Sequence, residues 1–119
     1  MPKLGTVLLK GASGRAYEFA VFPRADAFKP LGAVFFLAKR IPITERGAEY
    51  TWVYVGETHD ISQRPFDESH KTCIDQREAN TVCLHMEEDA ATRSGMVTDL
   101  HHAYMPPCND PLPADEDPG

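Results

Sequence analysis

The feature that most constrains this chain is a pair of neighbouring segments with β-strand patterns. Residues 32–39 form a continuous apolar run bounded by glycine on one side and by charge on the other, and such a run predicts a central strand buried on both faces. Residues 50–55 alternate, which places Tyr50, Trp52 and Tyr54 on one face of a strand. We expect the second strand to pair with the first.

The segments on either side predict three further strands. Residues 6–10 and 16–22 are rich in β-formers and are separated by the Gly-Ala-Ser-Gly turn at residues 11–14, which predicts an N-terminal β-hairpin. Residues 81–86 alternate Val, Leu and Met with polar residues, as a half-buried strand does. Together these patterns predict a small, mainly antiparallel sheet.

Two segments predict helices that flank this sheet. Asp60 is a favourable N-cap for a distorted helix extending to about residue 71, and Pro65 should break or restart that helix at Arg64 because proline removes an internal hydrogen bond. A second helix should follow the acidic residues 87–89, run to about Tyr104 and pack one apolar face on the sheet. The predicted fold class is therefore α+β.

Length and composition indicate one domain. A chain of 119 residues supports a single modest core, and we assign residues 1–109 to it, with residues 1–30 as the hairpin and its loop. Residues 110–119 hold three prolines and four acidic residues, so we expect a disordered tail. The sequence has no apolar run near the ~20 residues that span a bilayer and no signal-peptide pattern; we expect a cytoplasmic protein without membrane contact.

The charge of the chain limits its partners. The formal net charge is -6, from 18 acidic and 12 basic residues, and phosphate binding normally needs clustered Lys and Arg. Average charge therefore disfavours nucleic acid, although a local patch at Arg64, His70 and Lys71 leaves that partner open.

The chain has three cysteines, which cannot all pair within one molecule. In the cytoplasm we expect reduced thiols rather than a disulfide framework. A zinc site is the alternative, but its four candidate ligands lack the usual ligand spacing. Those candidates are Cys73, Cys83, His85 and Cys108.

An ordered set of residues resembles the GIY-YIG nuclease family. Residues 54–58 (YVGET), then residues 60–64 (DISQR) and then His70 are similar in order and spacing to the second half of the family motif and the helix after it. The likeness can be extended over residues 31–109. The preceding hairpin makes the chain look more particularly like small bacterial GIY-YIG-like proteins of unassigned role.

The C-terminal part of the domain contributes to the same resemblance. Leu100 is followed by Pro106 and Asn109, which is similar to the family's closing pattern of a helical leucine and then P-x-x-N. The fold implied is a small antiparallel sheet flanked by helices.

The resemblance implies a site for phosphodiester hydrolysis. In the family, tyrosines on two adjacent strands orient or deprotonate the nucleophile, an arginine faces the phosphate, a glutamate on a later helix holds the metal, and an asparagine completes the site. Residues of this chain at matching positions are Tyr54, Arg64, His70 and Asn109.

Two positions depart from the family pattern. Phe35 stands where the first tyrosine would, and it lacks the hydroxyl that could donate or accept a proton. Val97 stands where the metal-binding glutamate would, and an isopropyl group cannot ligate Mg²⁺. His101, one helical turn on, is the neighbour placed to substitute, although imidazole is a poor Mg²⁺ ligand. We expect no cofactor, with Mg²⁺ or Mn²⁺ needed only if the protein is active.

Several of these residues also have ordinary structural interpretations. Phe35 and Val97 could be plain core residues, and Arg64 could form a surface ion pair with a nearby acid such as Asp67. The acidic residues 87–89 fit a helix start better than a metal site.

Two functions remain. The first is a degenerate, non-hydrolytic binding module whose cleft recognises a protein or a phosphate-bearing ligand, and the acidity of the chain favours a protein. One form of it is an inhibitor of a basic nucleic-acid-handling enzyme. The alternative is a metal-dependent DNA endonuclease with an altered metal shell.

Overall fold

The computed structural model of the chain describes residues 3–45 and 47–110. Five strands form one sheet in the spatial order β1-β2-β5-β3-β4, and every neighbouring pair is antiparallel. The strands are β1 (Gly5–Lys10), β2 (Ala16–Pro23), β3 (Ala33–Pro42), β4 (Ala48–Thr58) and β5 (Thr81–Met86).

The five strand predictions are confirmed. β1 and β2 form the N-terminal hairpin, whose turn includes Gly14 at φ +92°, a conformation that favours glycine. β3 is an interior strand between β4 and β5, and residues 33–38 are all buried, as the continuous apolar run predicts. The α+β fold class is therefore confirmed.

The first predicted helix is wrong in extent. The chain after Asp60 makes two short 3₁₀ turns, Ile61–Gln63 and Pro65–Asp67, and the helix α1 (Lys71–Gln76) begins only where the prediction ends. The predicted break at Arg64 is confirmed: Arg64 has φ 50° and precedes proline. A residue before proline is disfavoured in the α region, so the turn cannot continue into a helix.

The second predicted helix is confirmed. α2 spans Ala90–Tyr104, and the Asp89 carboxylate accepts a hydrogen bond from the Thr92 backbone N–H. The acidic residues before it thus provide the helix N-cap.

The sheet has an apolar cluster on each face. On the face that α2 covers, here the helix face, the cluster includes Phe36 and Leu100. On the opposite face, here the loop face, it includes Phe35 together with Phe66 and Ile74 from the 3₁₀ turns and α1. Successive side chains of β3 thus point into different clusters.

A β-bulge changes which face Tyr54 occupies. Leu37 pairs with Tyr54 while Ala38 pairs with Trp52, so Val53 is the extra residue. Beyond the bulge the alternation is reset: Trp52 packs on the helix face and Tyr54 on the loop face. The prediction that Tyr50, Trp52 and Tyr54 share one face is therefore wrong for Tyr54.

The expectation of reduced cysteines is also wrong, since Cys73 of α1 and Cys108 form a disulfide with a Cα–Cα distance of 5.7 Å. Because Cys83 is buried in the helix-face cluster instead, the zinc alternative is wrong as well. Sequence spacing could not reveal the contact, since the fold brings together residues 35 positions apart. The predicted tail lies outside the described residues, except for Asp110.

Candidate functional site

Tyr54 and Phe35 lie side by side on the loop face of two paired strands. Their ring centroids are 6.0 Å apart, and Phe35 is 2% exposed. A Cβ at Gly56 would lie 2.8 Å from the Phe35 ring, so glycine is needed there to let the ring cross β4. The structure thus brings together the two positions that carry tyrosine in the family pattern, and here only Tyr54 has a phenol hydroxyl.

Tyr54 also stacks on His70. The two ring centroids are 4.7 Å apart, with 32° between the ring planes. Burial raises the pKa of Tyr54, and the negative charge of Asp110 raises it further. The phenol therefore keeps its proton at neutral pH, and in this form it can donate a hydrogen bond but is a poor base.

His70 is held at the start of α1 in a left-handed conformation, with φ 64°. Its Nε2 atom lies 3.3 Å from a carboxylate oxygen of Asp110, and its Nδ1 atom is buried without a hydrogen-bond partner among the described residues. Asp110, which the sequence assigns to the tail, therefore belongs to the surroundings of this site.

The guanidinium group of Arg64 forms hydrogen bonds with acceptors of its own chain. Nε donates to the Asp67 carboxylate at 2.6 Å, Nη1 donates to the carbonyl oxygen of Asp26, and Nη2 donates to that of Arg24 at 2.8 Å. The guanidinium carbon also lies 4.9 Å from the centroid of the Phe66 ring. Each of the three nitrogens thus has an internal acceptor, and the side chain fastens the 3₁₀ turns to the β2–β3 loop.

Asn109 acts on the backbone of β4. Its Oδ1 atom accepts from the Val55 N–H at 2.9 Å, and its Nδ2 donates to the Val55 carbonyl at 2.8 Å. Both polar ends of the amide are used by one residue of an edge strand. The side chain therefore pins the C-terminal segment to β4 rather than pointing a free amide toward the Tyr54 ring.

Val97 and His101 are not part of this group. Both belong to α2, which covers the helix face, and Val97 packs against the apolar cluster of that face. Burial and the neighbouring His102 lower the pKa of His101. The sheet thus separates the predicted metal position and its predicted substitute from Tyr54, which lies in the loop-face cluster.

The predicted basic patch is neutralised by ion pairs. Besides the pair between Arg64 and Asp67, Lys71 lies 2.6 Å from Asp75, and Arg24 lies 2.8 Å from the same Asp75 carboxylate. Paired cations at a surface offer little net positive potential to a phosphate backbone.

The residues around Tyr54 do not fit a magnesium ion. Mg²⁺ prefers an octahedron of oxygen ligands, whereas the rings that contact Tyr54 are the apolar ring of Phe35 and the imidazole of His70. Among the described residues, Asp110 is the one carboxylate that acts on Tyr54 and His70. Over residues 3–45 and 47–110, the structure groups no three or more His, Cys, Asp or Glu side chains in a way that could hold a metal.

The sequence missed the acceptors that surround Arg64. Arg24 and Asp26 lie about 40 positions away on the β2–β3 loop and contribute backbone carbonyls, which carry no residue-specific signal. Asp67, by contrast, could be recognised in the sequence as an acidic residue three positions after Arg64.

No helix within the described ranges is both long and apolar enough to cross a membrane.

Comparison of the chain with known protein families, with curated proteins and with solved structures found no match.

Proposed function

We propose that this protein is a non-hydrolytic binding module of the GIY-YIG nuclease-like fold, and that its loop face around Tyr54 and His70 recognises a protein partner. The observation that carries the proposal is the internal use of Arg64. An arginine that binds a scissile phosphate presents a fork of N–H donors to it, and here each guanidinium nitrogen already donates one N–H to an acceptor of the same chain. Three of the five donors are thus used internally, and they hold the side chain against the β2–β3 loop.

The aromatic pair supports the same conclusion. Water-activating chemistry needs a group that can take a proton near neutral pH, but Phe35 has no ionisable atom and the pKa of Tyr54 is raised by burial. The imidazole of His70 is then the candidate base beside them, and no metal-holding cluster accompanies it within residues 3–45 and 47–110. The adjacency of Phe35 and Tyr54 on paired strands agrees with the family resemblance, while their chemistry favours recognition over hydrolysis.

The charge of the molecule favours a protein partner. The net charge is -6, and the cations beside the site are held in ion pairs. A stacked tyrosine and histidine supply rigid amphipathic contact area of the kind enriched in protein interfaces. A partner with a basic surface is the best match, and an inhibitor of a nucleic-acid-handling enzyme is one form of it. We place this module in the cytoplasm.

The first experiment separates binding from catalysis. Purified protein is incubated with supercoiled plasmid DNA in Mg²⁺ and in Mn²⁺, and DNA binding is followed by fluorescence anisotropy with a labelled duplex. We expect neither cleavage nor binding at physiological salt. The Phe35→Tyr/Val97→Glu variant should also remain inert, because residue 97 belongs to the helix that covers the opposite face of the sheet.

The partner is tested with matched aromatic deletions. Tyr54→Ala removes a ring from the loop face, and Tyr50→Ala removes one from the helix face, where Tyr50 stacks on Trp52. A partner recovered by crosslinking from the source cell should be lost with Tyr54→Ala and kept with Tyr50→Ala. Equal recovery with both variants would exclude the loop face as the binding surface.

The endonuclease alternative predicts a different result. If wild-type protein cuts the plasmid and Tyr54→Phe does not, the phenol takes part in catalysis and the protein is an enzyme. Tyr54→Phe is preferred to a change at Arg64 because it keeps the stacked ring and alters only the hydroxyl.

A further inference from the structure

A cavity of about 400 Å³ opens on the loop face next to the contacts of Arg64. Its wall is mainly apolar, and two of its aromatic side chains, Phe22 and Phe28, meet edge to face with ring centroids 5.7 Å apart. Leu84 is the buried floor residue, while Leu31 and Met86 are 37% and 46% exposed and form the open side.

One acidic side chain lines this apolar cavity. Asp26 is only 5% exposed, and its Oδ2 atom is buried without a hydrogen-bond partner. Within the described ranges its carboxylate forms neither a hydrogen bond nor an ion pair. Burying a carboxylate without a partner is unfavourable, so a residue of this kind beside a cavity points to a ligand.

The backbone of Asp26 is fixed by hydrogen bonds, whereas its buried Oδ2 atom has no hydrogen-bond partner on the described part of the chain. Its N–H donates to the Pro23 carbonyl at 3.1 Å, and its carbonyl accepts from Nη1 of Arg64. These backbone contacts keep Asp26 in the lining of the cavity. A positioned charged group in a mostly apolar cavity is the usual composition of a small-molecule site.

The charged neighbours leave the Asp26 carboxylate available. Arg64 approaches it through the backbone carbonyl, and the ion pair of Arg64 is made with Asp67. Lys29 also lines the cavity but is exposed and lies beyond ion-pair distance of Asp26. The negative charge at the cavity is thus not matched by a partner on the described part of the chain.

We infer that this cavity binds a small molecule composed of a ring-sized apolar body and a protonated amine, with the amine on Asp26 and the body against Phe22, Phe28 and Leu84. A carboxylate accepts charge-assisted hydrogen bonds from an ammonium group, and the volume lies within the range of small-molecule sites. The inference uses different side chains from the proposed protein-binding function and does not depend on it.

The test is an NMR titration of ¹⁵N-labelled protein with three ligands that share one ring. Phenethylamine carries the positive charge, 2-phenylethanol is neutral, and phenylacetate is negative. Phenethylamine should shift the amide signals of Phe28, Leu84 and Met86 saturably. We expect at least tenfold weaker binding of 2-phenylethanol and no saturable binding of phenylacetate.

Two variants locate the binding. Asp26→Asn keeps the size of the side chain and removes its charge, and it should weaken phenethylamine binding at least tenfold. Glu68→Gln removes an exposed carboxylate outside the cavity and should change nothing. Leu31→Trp fills the exposed mouth without altering Asp26, so it should block phenethylamine even if Asp26→Asn folds poorly.

Three results would overturn the inference. The first is the absence of any saturable shift with phenethylamine. The second is equal affinity of the amine for wild type and for a folded Asp26→Asn variant, which would leave a purely apolar cavity. The third is preferred binding of phenylacetate, which would make Lys29 the anchor.

Discussion

Arg64 and His70 share an unusual backbone conformation. Their φ angles are 50° and 64°, in the left-handed region that few residues other than glycine adopt. Such residues persist where the surroundings hold them in place. At Arg64 the surroundings are three acceptors for its guanidinium, and at His70 they include the stack on Tyr54.

Arg64→Lys tests whether Arg64 is a structural residue. A lysine has one nitrogen and cannot reach all three acceptors, so we expect the free energy of unfolding to fall by about 1–3 kcal/mol. Urea denaturation followed by circular dichroism measures the change. Arg77→Lys is the matched control, since Arg77 is exposed and forms no side-chain hydrogen bond within the described ranges.

An Arg64→Lys variant as stable as wild type would contradict the structural role of Arg64. The family motif allowed Tyr54 and His70 to be assigned to one site from the sequence, and their rings are in contact in the structure. The structural role of Arg64 could not be predicted in the same way, because two of its acceptors are backbone carbonyls of a loop about 40 positions away.

β4 is an edge strand, and the segment after α2 covers part of it. The Cys108 N–H donates to the Val53 carbonyl at 3.0 Å, and Asn109 uses both ends of its amide on Val55. Uncovered edges invite pairing with other chains. The Cys73–Cys108 disulfide ties this covering segment to α1.

Cys73→Ser removes that tie without changing the segment itself. We expect the free energy of unfolding to fall by about 2–4 kcal/mol, the usual loss for a native disulfide. We also expect faster hydrogen exchange at the Val55 amide, which Asn109 protects. NMR-detected exchange, with and without dithiothreitol, measures both states.

Wild-type protein in reductant should behave like Cys73→Ser, and the variant itself should not respond to reductant. Unchanged protection of Val55 in reduced protein would mean that Asn109 holds the segment alone. Disulfides are rare in the cytoplasm, so the Cys73–Cys108 bond counts against the proposed cytoplasmic location.

At the scale of the whole molecule, α2 joins the two ends of the sheet. Arg93 forms a 2.7 Å ion pair with Glu57 of β4, and the Asp99 carboxylate accepts from Tyr17 and from both the backbone N–H and the hydroxyl of Ser13. The apolar periodicity of the sequence predicted that this helix packs on the sheet. It could not predict the face of each β4 residue, because the bulge at Val53 leaves no pattern in the sequence.

The attachment of the hairpin through Asp99 should depend on pH. Hydrogen bonds from Ser13, and then from Tyr17, lower the pKa of Asp99 below its ordinary value of 3.8. A lowered pKa stabilises the fold at neutral pH, and this contribution is lost as the pH falls below about 4. Wild type should therefore be more stable than Asp99→Asn at pH 7, and the difference should shrink toward pH 2.

Urea denaturation at a series of pH values measures this difference. Glu49→Gln is the control, because Glu49 is exposed and its carboxylate forms no hydrogen bond or ion pair over the described part of the chain. The phenol of Tyr17 provides a second readout. Its pKa is raised by burial and by Asp99, so Asp99→Asn should let Tyr17 ionise at lower pH, seen as absorbance near 295 nm. If the difference in stability between wild type and Asp99→Asn stays constant from pH 7 to pH 2, Asp99 stabilises the fold through the size and geometry of its side chain and not through its charge.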